Sequence, residues 1–411
     1  MNYQIEDVFS PRSFPQNTYI SRKLDDGETV DDRLKRALSM RGNLIFVTGA
    51  SKSGKTVLCH NVISSESYIA LSGNQISTKA DFWNHIAEQL PLSDAVVLTT
   101  GEQNSNNKGS QAELKLNLGI ASLGASINSN TGNNMNQQLA VTNNRTERQI
   151  IRYLIDNNKV LVLDDFHYIA ADMQMYIART LKTELFNGLK AVIISLPHRS
   201  DEAIICNPDL IGRTTSIEIL PWSAEELRAI AVKGFALLGL QIGEAEERLL
   251  AQESIASPQL MQENCFQLAF ASVQKQLAIQ PDLVRYAFRQ TARNYAHYER
   301  LVQAIRQGPA QGIGRRKSYL LQEGAVDIYQ LLLLALKADP PVTELSLAAL
   351  KERLRQLLCT QATPSSSVIS AALNKIIKIV AEIMPDLDAL EYKNQCLYIL
   401  DPFLLFYLRW K

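Results

Sequence analysis

The residues best suited to chemistry form a short run, Gly49-x4-Gly54-Lys55-Thr56, directly after an apolar segment at 44–48. Its two glycines let a loop turn its backbone N–H groups inward, because no Cβ blocks the approach of an anion. The residues that follow are compatible with a helix, whose N-terminus adds positive partial charge at the same point. Lys55 would reach the outer phosphates of a nucleoside triphosphate, and the Thr56 hydroxyl would take one Mg²⁺ position. The pattern predicts a phosphate site made by Gly49, Ser51, Ser53, Gly54, Lys55, Thr56 and Val57.

A second candidate group is a pair of carboxylates, Asp164 and Asp165, at the end of the apolar run 160–163. A buried parallel strand that ends in two acidic residues would place them opposite the phosphate loop. Asp164 would then hold Mg²⁺ through water, and Asp165 would orient or deprotonate an attacking water. Acidic pairs are common at strand ends, but this pair follows a phosphate loop, with strand and helix signals between. The two motifs together predict an ATP- and Mg²⁺-dependent hydrolase.

Elements that must position these residues can be read from the hydrophobic pattern. Strands are predicted at 44–48, 68–71, 160–163, 191–195 and 216–220, with helices between them. Such alternation is typical of an α/β fold with a parallel sheet. Residues 92–146 interrupt it with polar, Asn- and Gly-containing sequence, within which Leu114, Leu116, Leu118 and Ile120 alternate at strand period. We interpret this stretch as an inserted β-hairpin, facing either a partner or a pore, or merely decorating the surface.

Bulk composition agrees with a packed protein of several domains. The chain has 411 residues, of which 46% are apolar and 20% charged. Lys and Arg total 42, as do Asp and Glu, so any nucleic-acid contact must rest on a local patch. The five cysteines are scattered without metal-ligand spacing, which favours buried thiols in a reducing compartment. No apolar run is long enough to span a bilayer, and we expect a cytoplasmic location.

The two motifs, in this order, resemble those of P-loop ATPases of the AAA+ and STAND kind, and Asp164-Asp165-Phe166-His167 looks like the strand ending of STAND ATPases. The resemblance extends over about residues 17–270 and, more loosely, the last hundred. It implies a P-loop nucleoside triphosphatase core, a helical lid and a C-terminal winged-helix module. The Asp401-Pro402-Phe403 ending is similar to that of winged-helix modules in such proteins.

Further site residues are implied by the resemblance alone. Tyr19 and Arg22 match a segment that lines the adenine pocket, although Ser21 stands where glycine is usual. Pro258 matches a lid proline that packs on the base, although Ala256 replaces a glycine. Arg199 lies where STAND proteins carry an arginine near the γ-phosphate. Arg213 precedes the last core strand, where AAA+ proteins carry a finger that enters a neighbour's site. Each has a plainer alternative: Tyr19 packs, Pro258 starts a helix, and both arginines are solvated.

Domain boundaries follow from composition and from these motifs. The clearest linker is Gly-rich and basic, and helices with one wing strand are predicted after it. The predicted units are a P-loop core at 1–221 with its insertion at 92–146, a helical lid at 222–306, a linker at 307–317 and a winged helix at 318–411. Within the last unit we predict helices near 325–338, 347–358 and 363–383 and a wing strand at 392–400.

Two functions fit the sequence. The first is an ATP-driven regulatory switch of the STAND or AAA+ type, which changes conformation, assembles into a homo-oligomer and regulates a separate effector protein in bacterial antiviral defence. The alternative is a DNA-associated AAA+ ATPase, of the initiator or transposition-regulator type, that binds duplex DNA through its winged helix. The third helix of that module offers only Lys375 and Lys378 for phosphate contacts, which favours the first function.

Overall fold

The computed structural model describes residues 3–24, 26–91, 146–196, 212–309, 317–322, 324–359, 363–385, 387 and 389–411. The predicted insertion hairpin and Arg199 lie outside these residues.

A parallel sheet forms the centre of the N-terminal half. Its strands are ordered β2-β3-β4-β1-β5, and every neighbouring pair is parallel. The strands are β1 Leu44–Gly49, β2 Tyr68–Ser72, β3 Val160–Asp164, β4 Lys190–Ser195 and β5 Thr214–Ile219. Because all five run the same way, their carboxyl ends share one edge, and both predicted motifs start from that edge.

Helices cover both faces of this sheet. One face packs on α2 Val30–Ser39 and α3 Lys55–Val62, and the other on α4 Lys79–Glu88, α5 Glu147–Asp156 and α6 Ala171–Phe186. Successive side chains of a strand point to opposite faces. Accordingly Ile45 and Val47 belong to one apolar core, while Leu44 and Phe46 belong to the other. The predicted α/β class with a parallel sheet is confirmed.

A helical region follows the sheet. Its helices are α7 Ala224–Leu238, α8 Glu244–Glu253, α9 Pro258–Lys275, α10 Pro281–Asn294 and α11 Glu299–Gln307. The predicted capping box is present, with the Ser223 hydroxyl accepting from the Glu226 N–H and the Glu226 carboxylate accepting from the Ser223 N–H. The short helix α1 Ile5–Val8, near the N-terminus, also packs on α7 and α9.

The C-terminal region combines helices with short antiparallel strands. Its strands are β6 Tyr319–Leu321, β7 Gly324–Val326, β8 Glu344–Ser346, β9 Leu390–Lys393 and β10 Cys396–Ile399. Its helices are α12 Ile328–Leu336, α13 Leu347–Leu357, α14 Ser366–Ile383 and α15 Pro402–Trp410. Strands β8, β10 and β9 form one sheet in that order.

Two predicted elements of this region are present but differ in their bounds. The helix near 325–338 begins only at Ile328, because Gly324–Val326 pairs with β6 and Asp327 caps the helix. The single wing strand at 392–400 is a hairpin of β9 and β10. Asn394 and Gln395 turn the chain between them with φ of 53° and 59°, the left-handed values of a tight hairpin turn.

The helical and C-terminal regions share one apolar core, whereas the two faces of the parallel sheet have cores of their own. A buried ion pair strengthens the shared core: the Arg409 guanidinium of α15 donates to both oxygens of Glu253 in α8, at 2.9 and 2.6 Å. The Trp410 indole N–H donates to the same carboxylate at 2.6 Å. Among the described helices, none has the length and apolar character needed to span a membrane.

Candidate nucleotide site

The loop between β1 and α3 has the backbone that its glycines were predicted to allow. Gly49 has φ 158°, and a Cβ there would lie 2.7 Å from the Ile219 carbonyl of β5, so only glycine fits this approach. Gly54 is the N-cap of α3 with φ 96°, a left-handed value that glycine adopts without cost. Ser51, Ser53 and Val57 lie in the same loop and in the first turn of α3. The loop therefore presents its N–H groups at a helix N-terminus.

Lys55, the first residue of α3, folds back over this loop. Its Nζ donates to the carbonyls of Gly49 and Ala50, at 3.0 and 2.7 Å. Burial lowers the pKa of Lys55 to about 8, and the nearby carboxylates of Asp164 and Asp165 oppose this lowering. An anion beside the ammonium would favour its charged form. In this geometry the Lys55 ammonium group is positioned where it could bind a phosphate.

Across the sheet edge, the two carboxylates meet the same helix. The Thr56 hydroxyl donates to Asp164 Oδ2 at 2.5 Å, and the Asp165 N–H donates to Asp164 Oδ1 at 2.8 Å. Asp165 has φ 55°, which turns the chain sharply at the end of β3. Burial, followed by the charge of Asp164, raises the pKa of the Asp165 carboxyl. A raised pKa suits a group that accepts a proton from water.

Two residues at this edge were not predicted from the sequence. Gly73, directly after β2, packs so closely on Asp165 that a Cβ would lie 2.2 Å from its carbonyl oxygen. Ser195 ends β4, between β1 and β3, and pairs with Thr48. Its buried hydroxyl has no hydrogen-bond partner among the described residues. The only available signal for Ser195 was its place as a polar residue at a strand end.

The site fits a Mg²⁺–triphosphate better than a metal alone. The buried Ser53 hydroxyl also lacks a partner among the described residues. The loop therefore has a hydroxyl that could donate a hydrogen bond to a phosphate oxygen. Within the described ranges, no group of three His, Cys, Asp or Glu side chains could hold a metal ion. Mg²⁺ is commonly held by one or two protein oxygens together with substrate phosphates. Thr56 and Asp164 supply that partial set.

The helical and C-terminal regions contact the phosphate loop from outside. The Trp222 indole N–H donates to the Ser53 carbonyl at 2.8 Å. The Pro258 ring lies 4.0 Å from the position that a Cβ on Gly54 would take. Lys52 Nζ lies 4.9 Å from the centre of the Phe403 ring, in the Asp-Pro-aromatic ending. The loop is thus bordered by both regions.

The remaining predicted residues occupy different places. Tyr19 donates its hydroxyl to Asp31 at 2.8 Å, and Arg22 forms an ion pair with Glu226 at 2.8 Å and lies over the Trp222 ring. Both belong to the segment before α2, which contacts α7 through the Arg22–Glu226 ion pair. Ala256, where glycine was expected, has φ 53° and so keeps the backbone that a glycine would adopt.

Arg213 lies at the opposite end of the sheet from the phosphate loop. It precedes β5, whose first residue pairs with Leu44 and whose last pairs with Gly49. Six strand residues separate the two ends by roughly 17 Å or more. Its guanidinium lies 5.9 Å from the ring of Phe186, which is 76% exposed. Arg213 therefore does not contact the phosphate loop of its own chain.

The phosphate loop after β1 and the carboxylate pair after β3, on a parallel sheet, fit a P-loop ATPase of the AAA+ class. No protein-family model matches the sequence, and no curated protein matches it significantly. Among solved structures, the chain is similar to Cdc6p from Pyrobaculum aerophilum, with 14% identity, coverage of 98% of this chain and 97% of that one, and a TM-score of 0.45.

Two further solved structures are similar over most of the chain. The Walker-type ATPase paby2304 of Pyrococcus abyssi has 11% identity, coverage of 92% and 94%, and a TM-score of 0.47. The RuvB Holliday junction branch migration motor of Thermotoga maritima has 13% identity, coverage of 90% of both chains, and a TM-score of 0.40. At this level of similarity, an activity has to be argued from the side chains of this protein.

Replacing Gly73 by alanine is expected to abolish most ATP hydrolysis while leaving ATP binding nearly intact. The added Cβ would displace the Asp165 backbone, and the three atoms nearest to it belong to Asp165 and Ile169 and not to the phosphate loop. A misplaced catalytic group costs about a hundred-fold in rate. Steady-state phosphate release and equilibrium binding measure the two effects. Asn74→Ala, an exposed change in the same turn, is the matched control. Equal hydrolysis by both variants would contradict the role of Gly73.

The affinity for Mg²⁺–ATP is expected to fall about ten-fold between pH 7 and pH 9. Lys55 has a pKa of about 8 in the free protein, so it loses its charge over this range, whereas a bound phosphate holds the proton. The same lowered pKa makes the folded state gain stability as pH rises from about 8 towards the unfolded value. Calorimetric titration of wild type and Lys55→Arg, whose charge does not titrate here, checks this. A parallel pH dependence in both proteins would contradict the assignment to Lys55.

Proposed function

We propose that this protein binds Mg²⁺–ATP, hydrolyses it, and acts as an ATP-dependent regulatory switch. The observation that supports this is the convergence of Lys55, Thr56, Asp164 and Asp165 at one edge of the sheet, joined by the Thr56–Asp164 hydrogen bond of 2.5 Å. All four of these residues are present, which argues against a protein that keeps the fold but has lost the ability to hydrolyse ATP. Among the described residues, none marks a binding site for the acceptor of a small-molecule kinase reaction.

In this mechanism the chain positions the reactants and stabilises charge. Backbone N–H groups of the loop and the Lys55 ammonium bind the β- and γ-phosphates. Thr56 and Asp164 would hold Mg²⁺, which when bound neutralises charge on the phosphate oxygens. Asp165 orients the attacking water and accepts its proton, a role that its raised pKa favours. Gly73 keeps the Asp165 backbone in place. The Ser195 hydroxyl, which has no hydrogen-bond partner among the described residues, would donate to a phosphate or a water.

The switch consists of the helical and C-terminal regions moving as one body against the sheet. Their shared core and the buried Glu253–Arg409 pair bind them together. Separating the two regions would expose the apolar side chains of this shared core to water, which disfavours separation. Trp222, Pro258 and Phe403 connect this body to the phosphate loop. A triphosphate that reshapes the loop would therefore shift the whole body.

Self-assembly completes the proposal. Arg213 is remote from its own phosphate loop, which supports action in trans on a neighbour in a homo-oligomer. Arg199 is proposed to act near the γ-phosphate of its own chain. The predicted domain boundaries, with a core at 1–221, a lid at 222–306 and a winged helix at 318–411, remain part of this proposal. The helix–strand order from α12 to β10 supports the winged-helix interpretation.

The biological role proposed for such a switch is regulation of a separate effector protein in bacterial antiviral defence. It follows from the STAND-like motifs Asp164-Asp165-Phe166-His167 and Asp401-Pro402-Phe403. Because the C-terminal ending contacts the phosphate loop through Phe403, it is suited to reporting the nucleotide state. A cytoplasmic location is part of the same proposal.

A second candidate function is a DNA-associated ATPase of the initiator or transposition-regulator type. Helix α14 supports it, because Lys375 and Lys378 are exposed there, as is Lys393 in the hairpin of β9 and β10. Three cations would give only a shallow salt dependence of duplex binding. The switch remains the preferred function.

Steady-state ATP hydrolysis at several protein concentrations, with and without duplex DNA, separates the two functions. The switch predicts slow hydrolysis that is indifferent to DNA and whose specific rate rises with concentration. Lys55→Ala should bind no nucleotide, and Asp165→Asn should bind ATP without turnover. Mixing Arg213→Ala with Asp165→Asn should restore turnover if Arg213 acts in trans. Strong stimulation by DNA at physiological salt would instead establish the second function, and wild-type ATP affinity in Lys55→Ala would refute the phosphate site.

Weakening the contact between Lys52 and Phe403 is expected to speed ADP release. A cation–π contact is worth about 0.5–2 kcal/mol, which corresponds to roughly a two- to thirty-fold faster release if it holds the closed state. Stopped-flow release of a fluorescent ADP analogue compares Lys52→Met, Phe403→Leu and the double variant. If the two residues act through their mutual contact, the double variant is no faster than either single one. Additive effects would show that they act separately.

A further inference from the structure

Asp31 is a buried carboxylate that neither motif includes. It lies in the first turn of α2, and the residue is only 4% exposed. Three side chains donate to it: the Tyr19 hydroxyl at 2.8 Å, the Ser21 hydroxyl at 2.6 Å and the Asn61 amide at 2.7 Å. Within the described residues, no basic side chain forms an ion pair with it. These hydrogen bonds and the N-terminus of α2 are what stabilise its charge.

The partners of Asp31 belong to two different parts of the site. Asn61 lies in α3, the helix that begins at the phosphate loop. Tyr19 and Ser21 belong to residues 18–22, which we call the strap. Because a buried carboxylate without a partner is costly, all three donors are held in fixed positions around it. Asp31 therefore sets the position of the strap relative to the phosphate-loop helix.

Three strap residues, Thr18, Tyr19 and Arg22, also contact the helical region. Lys233 of α7 donates to the Tyr19 carbonyl at 3.1 Å, and the Arg22 side chain is paired with Glu226. Gln262, one turn after Pro258 in α9, donates to the Thr18 hydroxyl at 2.8 Å. The strap thus contacts α9, the helix that begins with Pro258, and Pro258 in turn faces Gly54 of the phosphate loop.

We propose that Asp31 is a positioning residue that fixes the strap as the wall receiving the nucleoside part of ATP. This inference rests on the proposed function, because it takes the phosphates to lie at Lys55. The loop binds the phosphates without Asp31, whereas the hydrogen bonds of Tyr19, Ser21 and Asn61 to Asp31 hold the strap against the phosphate-loop helix. Removing the Asp31 carboxylate should therefore cost the binding energy of the base and ribose and spare that of the phosphates.

The test compares ATP with inorganic tripolyphosphate, which carries the phosphates and no nucleoside. Calorimetric titrations with Mg²⁺ give both dissociation constants for wild type, Asp31→Ala and Asp31→Asn. We expect ATP affinity to fall about ten- to a hundred-fold in Asp31→Ala. Tripolyphosphate affinity should change less than about two-fold. Equal losses for both ligands, or no loss for ATP, would overturn the proposal. If the wild type binds neither ligand, the phosphate site itself is refuted.

Matched variants distinguish the loss of strap positioning from a loss of folding. Asp32→Ala removes an exposed carboxylate from the same helical turn and should change neither dissociation constant. If Asp31→Ala does not fold, the double variant Tyr19→Phe/Ser21→Ala removes the donors of the strap while Asn61 still holds Asp31. That variant should lose ATP affinity and keep tripolyphosphate affinity. Retention of full ATP affinity by the folded double variant would also overturn the role of Asp31.

Discussion

The ammonium group of Lys55 imposes the constraint on which the rest of the site depends. It is held by the Gly49 and Ala50 carbonyls, and its burial makes the charged form unfavourable enough to lower its pKa to about 8. To place those carbonyls, β1 must end against β5, where a Cβ on Gly49 would collide with Ile219. To moderate the cost of burial, two carboxylates must lie within electrostatic reach, which puts the end of β3 at the same edge. The order of the strands, the shape of the loop and the positions of the two acidic residues all affect the position and the charge of Lys55.

The second organising feature is the division of the apolar core. Both faces of the parallel sheet have their own cores, while the helical and C-terminal regions share a third. Polar contacts, more than apolar ones, connect the two bodies near the loop, through Trp222, Arg22 and the strap. Polar contacts at a boundary can be exchanged at small net cost, because water or a ligand can replace each partner. In the proposed switch, the boundary between the bodies is where a change of nucleotide state would be converted into motion.

The motifs and most of the strands and helices could be predicted from local sequence. The phosphate loop depends on residues within a single turn, and β1 to β5 are signalled by short apolar runs. Contacts between distant residues were not predictable in this way: Gly73 touches Asp165, Lys52 faces Phe403, and Asp31 gathers donors from two elements. None of these pairs has a sequence spacing that signals it. The wing hairpin was missed because Asn394 and Gln395 adopt left-handed φ values without a glycine.

The start of α9 shows how local strain and the proposed motion fit together. Ile255 and Ala256 are consecutive residues with φ of 51° and 53°, a region that costs roughly 1–2 kcal/mol for each residue with a Cβ. Ile255 is held by its burial in the shared core, and Ser257 caps the helix through the Leu260 N–H. Strain of this kind persists only where the surroundings enforce it, and here it places Pro258 against the phosphate loop. Because the shared core enforces this strain, it fixes the place of Pro258 on the helical body and would persist if that body moved away from the loop. In the proposed switch, a rigidly placed Pro258 would transmit a change in the phosphate loop to the whole body.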